Sequence, residues 1–329
     1  MKLSLIIPVY KAQDWICRCL DSILHQIPDA MDCEVICIVD GSPDNSANLI
    51  REYQNRHENI ILHVQENKGV SAARNKGIEL AEGEFITFID SDDTLSPKSL
   101  QSLFDYLDAK RFDVGICRSF IRTKECYPWT ELFNHDDVTT PKKMIVKGYD
   151  RGSVWGCVYN RALLMDYNIR FIEGVSNGED SIFFSTCMCH AKNVAFFDVP
   201  LYNVFEEDNS LSRTYKKERS DRMIEKLPFI DDYLIKLSSN SLNGFITEYI
   251  RYSYISGIVS SVIKTDGIGL LYILEKRVNK FSHINVTEEI TLLRNKMRLM
   301  NVSLPLYYLL SKLLYIFRSY ITKHDETTV

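Results

Sequence analysis

Three carboxylates within four residues, Asp90-Ser91-Asp92-Asp93, are the densest concentration of chemistry in the sequence. Crowded at one turn, they repel one another unless a cation or hydrogen-bond donors neutralise them. Hard oxygen ligands of this kind select Mg²⁺ or Mn²⁺ over softer metals. A solvated acidic turn that caps the next helix would use the same residues without a metal, so the cluster alone leaves both readings open. A second acidic pair, Glu179-Asp180, opens a helical stretch. There it either offsets the helix dipole or supplies a general base. Cys187-Met188-Cys189-His190 lacks the C-x-x-C spacing and the second ligand pair of a zinc site, and reads as buried thiols.

The segments that must position these groups alternate between strand and helix. Residues 3–9 are a short apolar run, a buried strand ending at Pro8-Val9-Tyr10. Trp15, Ile16, Cys19, Leu20, Ile23 and Leu24 recur at helical spacing and predict an amphipathic helix over 13–26. Strands are expected at 34–39 and 60–64. Between them the turn Asp40-Gly41-Ser42-Pro43-Asp44-Asn45-Ser46 supplies helix-capping residues. A helix over 69–81, with Gly83 as its C-cap, leads to a strand at 85–89 that runs into the acidic turn. This alternation implies βαβ units and a mostly parallel sheet flanked by helices. Ligands sit beyond the carboxyl ends of such strands, which is where Tyr10, Asp40 and Asp90 to Asp93 fall. Helices are expected from Pro97 to about 108, from Arg161 and from Gly178, with strands at 113–117, 155–159 and 194–202. Residues 118–152 give no clear pattern, and everything after about 215 reads as helical.

The 329 residues, 45% hydrophobic and 25% charged, have ordinary globular composition and are long enough for about two domains. Residues 1–213 carry 22 Lys and Arg against 32 Asp and Glu, a balance of −10. Residues 214–329 carry 17 against 12, a balance of +5. An acidic front half excludes nucleic acid as the natural partner. It still admits an anionic nucleotide if a cation bridges the two. Nine scattered cysteines fit a reducing compartment. The opening apolar run is too short for a signal peptide, and no stretch reaches the roughly 18 apolar residues of a membrane span. Residues 302–320 are nearly apolar all round, with Lys312 and Arg318 among them. They pack inside a C-terminal bundle or rest on an anionic membrane surface.

Four motifs occur in order: Ile7-Pro8-Val9-Tyr10, Val39-Asp40-Gly41-Ser42-Pro43-Asp44, Asn67-Lys68-Gly69-Val70-Ser71-Ala72-Ala73-Arg74-Asn75-Lys76-Gly77, and Phe88-Ile89-Asp90-Ser91-Asp92-Asp93. Together they resemble the bacterial family 2 glycosyltransferases, over about residues 3–100. A weaker likeness continues through Trp155-Gly156, Gly178-Glu179-Asp180 and Pro200-Leu201-Tyr202 to Ser210-Leu211-Ser212-Arg213. The resemblance implies a GT-A fold, a Rossmann-like α/β domain over 1–213, followed by a helical region over 214–329. It implies an inverting, metal-dependent transfer from a nucleotide sugar, most naturally a UDP-sugar, to a glycan or lipid-linked saccharide. By the same resemblance Pro8, Val9 and Tyr10 line the base, and Asp40 accepts from its imide N–H. Arg74 and Arg213 approach the nucleotide. Asp90, Ser91 and Asp93 form the donor turn, and Asp92 with Asp90 ligates Mn²⁺ or Mg²⁺. Asp180 is the base and Glu179 supports it. Trp155 stacks on a sugar or on the core. Two departures stand out: Val39 replaces an acidic residue common before Asp40, and Lys11 replaces the usual Asn.

The implied setting is the cytoplasm, with peripheral contact to the inner face of the membrane through 302–320. Two other functions use a similar frame. A nucleotidyltransferase would show a Gly-rich basic loop after the first strand, which Tyr10-Lys11-Ala12-Gln13 is not. A non-catalytic nucleotide-sugar-binding module would have no use for Glu179-Asp180.

Overall fold

The computed structural model describes residues 1–205, apart from 28–31, 110, 122–123, 127, 131, 135–136, 148, 150 and 176–177, and then Lys217–Asn240 and Ile255. The chain divides into two units, Met1–Asp208 and Asn209–Val329.

The first unit begins with three strand–helix pairs. They are β1 (Leu3–Val9) and α1 (Ile16–Leu24), β2 (Cys33–Asp40) and α2 (Ser46–Gln54), and β3 (Ile60–Gln65) and α3 (Val70–Leu80). Next come β4 (Phe85–Phe88), β5 (Thr94–Leu95), α4 (Ser99–Ala109), β6 (Val114–Ile121), β7 (Lys124–Cys126), β8 (Val138–Thr139) and α5 (Pro141–Val146). The unit closes with β9 (Cys157–Asn160), α6 (Arg161–Asp166), α7 (Glu179–His190) and β10 (Val194–Val204). The strands form one sheet in the order β3-β2-β1-β4-β9-β6-β10-β5, with β7 paired to β6 and β8 to β10.

Strands β3, β2, β1 and β4 run parallel. Every residue of β1 and β2 is buried, as expected of parallel strands covered on both faces. The parallel run ends at β9, which is antiparallel to both β4 and β6, whereas β6 and β10 are parallel again. Register shifts in β10 flank Pro200, a residue that cannot donate to the ladder and so sits at an irregularity. Helix α1 buries Ile16, Cys19, Leu20 and Ile23, one stripe at helical spacing. It is shorter than the 13–26 expected, because Ala12 to Trp15 form a turn laced to the next loop.

Helix α3 lies flush on the sheet. A Cβ added at Gly77 would run into the Ile6 side chain of β1. Gly83 is not the cap of this helix, as the sequence suggested. The helix ends with Ala81 in extended conformation, and Gly83 instead abuts the Leu3 and Ser4 backbone. Its N–H and that of Glu82 donate to the buried Glu34 carboxylate, which also accepts from Ser4 Oγ at 2.5 Å. This knot fixes the lower end of the sheet, opposite the acidic turn.

In the second unit α8 (Lys217–Asn240) contains Pro228 and buries Leu227, Ile230 and Leu234. Residues 302–320 lie outside the described residues. Among those described, no helix is long and apolar enough to cross a membrane.

Candidate active site

The loops that follow β1 and β2 are bound to each other before either meets a ligand. Lys11 N–H donates to Ser42 Oγ (2.8 Å), Ala12 N–H to Ser46 Oγ (3.1 Å) and Gln13 N–H to Asp44 Oδ2 (3.0 Å). Burial opposes ionisation of Asp44, but the Ser42 and Ser46 hydroxyls and the Gln13 and Ser46 N–H groups outweigh it and hold the carboxyl at about 2. Lys11 has a φ of 52°, a strained choice for a residue with a Cβ. Pro8 and Val9 are buried in the sheet, leaving Tyr10 exposed. Asp40 is buried too. Its Oδ1 accepts from Gln65 Nε2 (2.8 Å) and Lys68 N–H (2.9 Å), and its Oδ2 from Gly69 N–H (2.7 Å). Those bonds pin the start of α3 to the end of β2.

Between β4 and β5 the acidic turn assigns its carboxylates different surroundings. Asp93 points inward. Its Oδ2 accepts from the Tyr202 hydroxyl (2.8 Å) and its Oδ1 from Phe205 N–H (2.8 Å). Burial, then the neighbouring charges of Asp90 and Asp92, push its carboxyl up to about 8 against those two donors. The Tyr202 oxygen also accepts from Asp90 N–H (2.9 Å). The Trp155 ring stacks on Tyr202, with centroids 5.1 Å apart. From α1, Arg18 donates to the Asp92 carbonyl (2.5 Å) and lies 3.9 Å above the Phe205 ring. The turn is thus held from below, and it exposes Asp92 with Ser91 half-buried beside it.

Arg74 joins this turn to the second acidic pair. It is 3% exposed on α3. Its Nη2 donates to Asp90 Oδ1 at 2.9 Å and its Nη1 to Asp180 Oδ1 at 2.5 Å, with Glu179 Oε1 at 4.0 Å. Glu179 and Asp180 occupy the first turn of α7, after an N-cap glycine that offers no side-chain cap. Burial raises the Asp180 carboxyl to about 7, aided by Glu179 and Asp90 and opposed by Arg74 and the Val154 N–H. Glu179 Oε2 is buried without a hydrogen-bond partner among the described residues. One guanidinium therefore organises three carboxylates drawn from two ends of the sequence.

A divalent cation fits this turn only as a shared ligand. Among the described residues no group of three or more His, Cys, Asp or Glu side chains stands ready to hold a metal. Asp93 is committed to Tyr202 and Phe205, and one Asp90 oxygen to Arg74. What faces outward is the Asp92 carboxylate and the partly exposed Asp90. Hard cations that complete their shell with phosphate oxygens and water suit such a sparse set. The cysteines are all free, and Cys187, Cys189 and His190 lie buried on α7. Arg213 and the segment 210–213 lie outside the described residues.

Sequence reasoning anticipated Asp90, Asp92, Asp93, Arg74, Glu179 and Asp180 as one site, and the structure brings Arg74 to Asp90 and Asp180. It did not anticipate Arg18, Gln65 or the hydroxyl of Tyr202. Tyr202 lay inside a recognised stretch, but nothing local marks it as the brace of a turn 109 positions away.

An α/β sheet with an acidic turn after its fourth strand is the frame of GT-A enzymes. The fold matches the crystal structure of Staphylococcus aureus TarS 1–349 in complex with UDP-GlcNAc. The TM-score is 0.72 at 20% identity, covering 99% of this chain and 92% of that one. Residues 4–167 match the model described as Glycosyl transferase family 2, and the chain belongs to that family. It is similar to the Escherichia coli protein named "Uncharacterized glycosyltransferase YibD", 31% identical over 66% of this chain and 64% of that protein. It is also similar to the Bacillus spizizenii "Poly(ribitol-phosphate) beta-glucosyltransferase", 29% identical over 59% of this chain and 31% of that protein. The chain thus spans under two thirds of the length of these relatives.

Proposed function

We propose that this chain is an inverting glycosyltransferase that moves a sugar from a UDP-sugar to a hydroxyl of a glycan or lipid-linked saccharide. The observation that carries the reading is the Arg74 bridge, which brings the acidic turn and the Glu179-Asp180 pair into one site. In a direct displacement the acceptor oxygen attacks the anomeric carbon as the bond to the diphosphate breaks, and the electron pair leaves with the diphosphate. Asp180 takes the acceptor proton. A carboxyl held near 7 is matched to proton transfer at neutral pH. Glu179 Oε2, unpartnered, can accept from an acceptor hydroxyl and align it. Asp92 and Asp90 would hold Mg²⁺ or Mn²⁺, which when bound offsets the charge on the leaving diphosphate.

At the other end of the site Tyr10 presents its ring to the base, over Pro8 and Val9. Asp40 uses three of its roughly four acceptor positions on the protein, leaving one for an imide N–H. Ser91 completes the donor side. Residues 1–213 form the catalytic domain. Residues 214–329 rest on the cytoplasmic membrane face through 302–320, where a lipid-linked acceptor would lie. The TarS complex with UDP-GlcNAc and a relative named for poly(ribitol-phosphate) support the donor and acceptor classes.

The test is a thermal-shift panel of UDP, GDP, CDP and dTDP sugars with Mn²⁺, with Mg²⁺ and with chelator, because a ligand of the folded state raises its apparent stability. Metal-dependent stabilisation by uridine nucleotides alone is expected, and Asp92→Ala should abolish it. Equal stabilisation of Asp92→Ala, with unchanged metal dependence, would remove the metal assignment.

A further inference from the structure

The described residues between α6 and α7 form no helix or strand, yet the segment leads directly into Glu179 and Asp180. One side chain of α3 clasps it at Phe171. Asn75 Oδ1 accepts from Phe171 N–H (2.8 Å), and Asn75 Nδ2 donates to the Phe171 carbonyl (2.9 Å). The two bonds copy the exchange made by paired residues of antiparallel strands. They satisfy backbone groups that would otherwise be left unpaired in a buried setting. The Phe171 ring then does the positioning. It stacks face to face on Phe183, with centroids 3.9 Å apart and planes 4° from parallel. Both rings meet the edge or face of Phe88 from β4. Phe183 lies one turn after Asp180 on α7, so the stack sets the height and rotation of the helix start. The Arg74 guanidinium sits 5.2 Å above the same Phe171 ring. Arg74 and Asn75, adjacent on a helix seated flush on β1, thus grip α7 twice, once by charge and once through Phe171.

We propose that Asn75 is a positioning residue that sets Asp180 against Arg74 by way of the Phe171 backbone and the Phe171–Phe183 stack. The inference rests on the reading of Asp180 as the base. Displacing a catalytic group by about 1 Å can cost on the order of a hundredfold in rate without touching the donor. Asn75→Ala should therefore lower kcat by about tenfold to a hundredfold while leaving donor KM within about twofold.

The experiment is a double-mutant cycle on the full chain, with Mn²⁺ and UDP-N-acetylglucosamine or UDP-glucose as donor and UDP release as the readout. The variants are Asn75→Ala, Asp180→Asn and the pair, with Asn75→Asp as an equal-volume control that keeps an acceptor but repels the Phe171 carbonyl. UDP binding by each variant, followed by thermal shift, reports folding. If Asn75 acts through Asp180, the Ala and Asp variants lose kcat to a similar degree, and Asn75→Ala costs nothing further in the Asp180→Asn background. A loss that multiplies in that background, an unchanged kcat, or loss of UDP binding along with kcat would overturn the positioning role. Full activity of Asp180→Asn, or no UDP release by the wild-type chain, would instead bring down the underlying reading. Those failures appear before any Asn75 variant is measured.

Discussion

Replacing Arg74 by Met removes the cation from a buried site and leaves Asp90 and Asp180 facing each other across it. Breaking a buried ion pair by deleting one partner costs about 3–5 kcal/mol, because the remaining charge is uncompensated. The Asp180 and Asp90 side chains keep 19% and 31% of their exposure, so the lower end of that range applies at neutral pH. For a unit of this size each kcal/mol shifts the midpoint by about 2–4 °C, so a fall of about 6–12 °C is expected at pH 8. The pH dependence has a definite sign. Burial raises the Asp180 carboxyl above its unfolded value, to about 7. A raised carboxyl contributes stability that is present at low pH and lost as pH rises through the folded value. Without Arg74, which opposes the rise, the folded value climbs further, so the variant keeps losing stability above pH 7 where the wild type has finished. At pH 5 Asp180 is protonated in both proteins, and the gap should narrow to what Asp90 and Glu179 contribute. Thermal melts of both proteins from pH 5 to pH 8.5 decide the matter. A gap that is constant with pH, or that widens toward pH 5, would refute the bridge as the source of the stability.

Three more outcomes are expected. If Asp180 is the base, kcat/KM rises with pH and levels off above an inflection near 7, since the ionised form of the free enzyme does the work; a profile flat from pH 5.5 to 8.5 argues against it. Tyr202→Phe deprives Asp93 of a donor and the Asp90 N–H of an acceptor, and should cost about 1–3 kcal/mol in denaturant unfolding together with weaker Mn²⁺ dependence. Gly77→Ala drives a methyl group into Ile6 and should cost about 1–3 kcal/mol, visible as a lower urea midpoint at unchanged slope.

The first 90 residues were legible because each signal there is local. The apolar runs of β1 and β2 are buried at every position, and the stripe of α1 has the helical period. Residues 118–152 were opaque for the opposite reason. Strands β7 and β8 have three and two residues, and they exist because β6 and β10 lend them partners. Strand β6 itself runs on to Ile121 through Arg118 and Ser119, polar residues that mimic a loop. Arg118 is held in place by Glu125 and Asp198, the latter 80 positions away. Within the site the residue types were readable and their partnerships were not. A motif places Arg74 near Asp90, but no spacing rule joins it to Asp180, 106 residues on.

Asp90, Asp92 and Asp93 are chemically identical side chains within one turn, and the surrounding fold gives each a separate task. Asp93 faces the sheet, where Tyr202 and the Phe205 N–H consume both oxygens and burial favours the protonated form. It anchors the turn to the end of β10. Asp90 turns sideways to Arg74 and so ties the turn to α3 and α7. Asp92 alone is exposed, and its own carbonyl is held by Arg18 from α1. Helix α1, helix α3 and the end of β10 thus each fasten this four-residue segment. If Asp92 and Asp90 hold a metal as proposed, this arrangement would let so sparse a site be precise. Two outward carboxylates are too few to define a coordination sphere by themselves, but a turn fixed from three directions would present them at one position and leave the remaining sites of a bound cation to a donor's own oxygens. Asp93→Asn, which keeps the acceptor for Phe205 and matches the neutral form that burial favours, should therefore weaken Mn²⁺-dependent donor binding less than Asp92→Asn does. Titrating Mn²⁺ in the thermal-shift assay separates them, and the reverse order would mean that the inner carboxylate, not the exposed one, meets the ion.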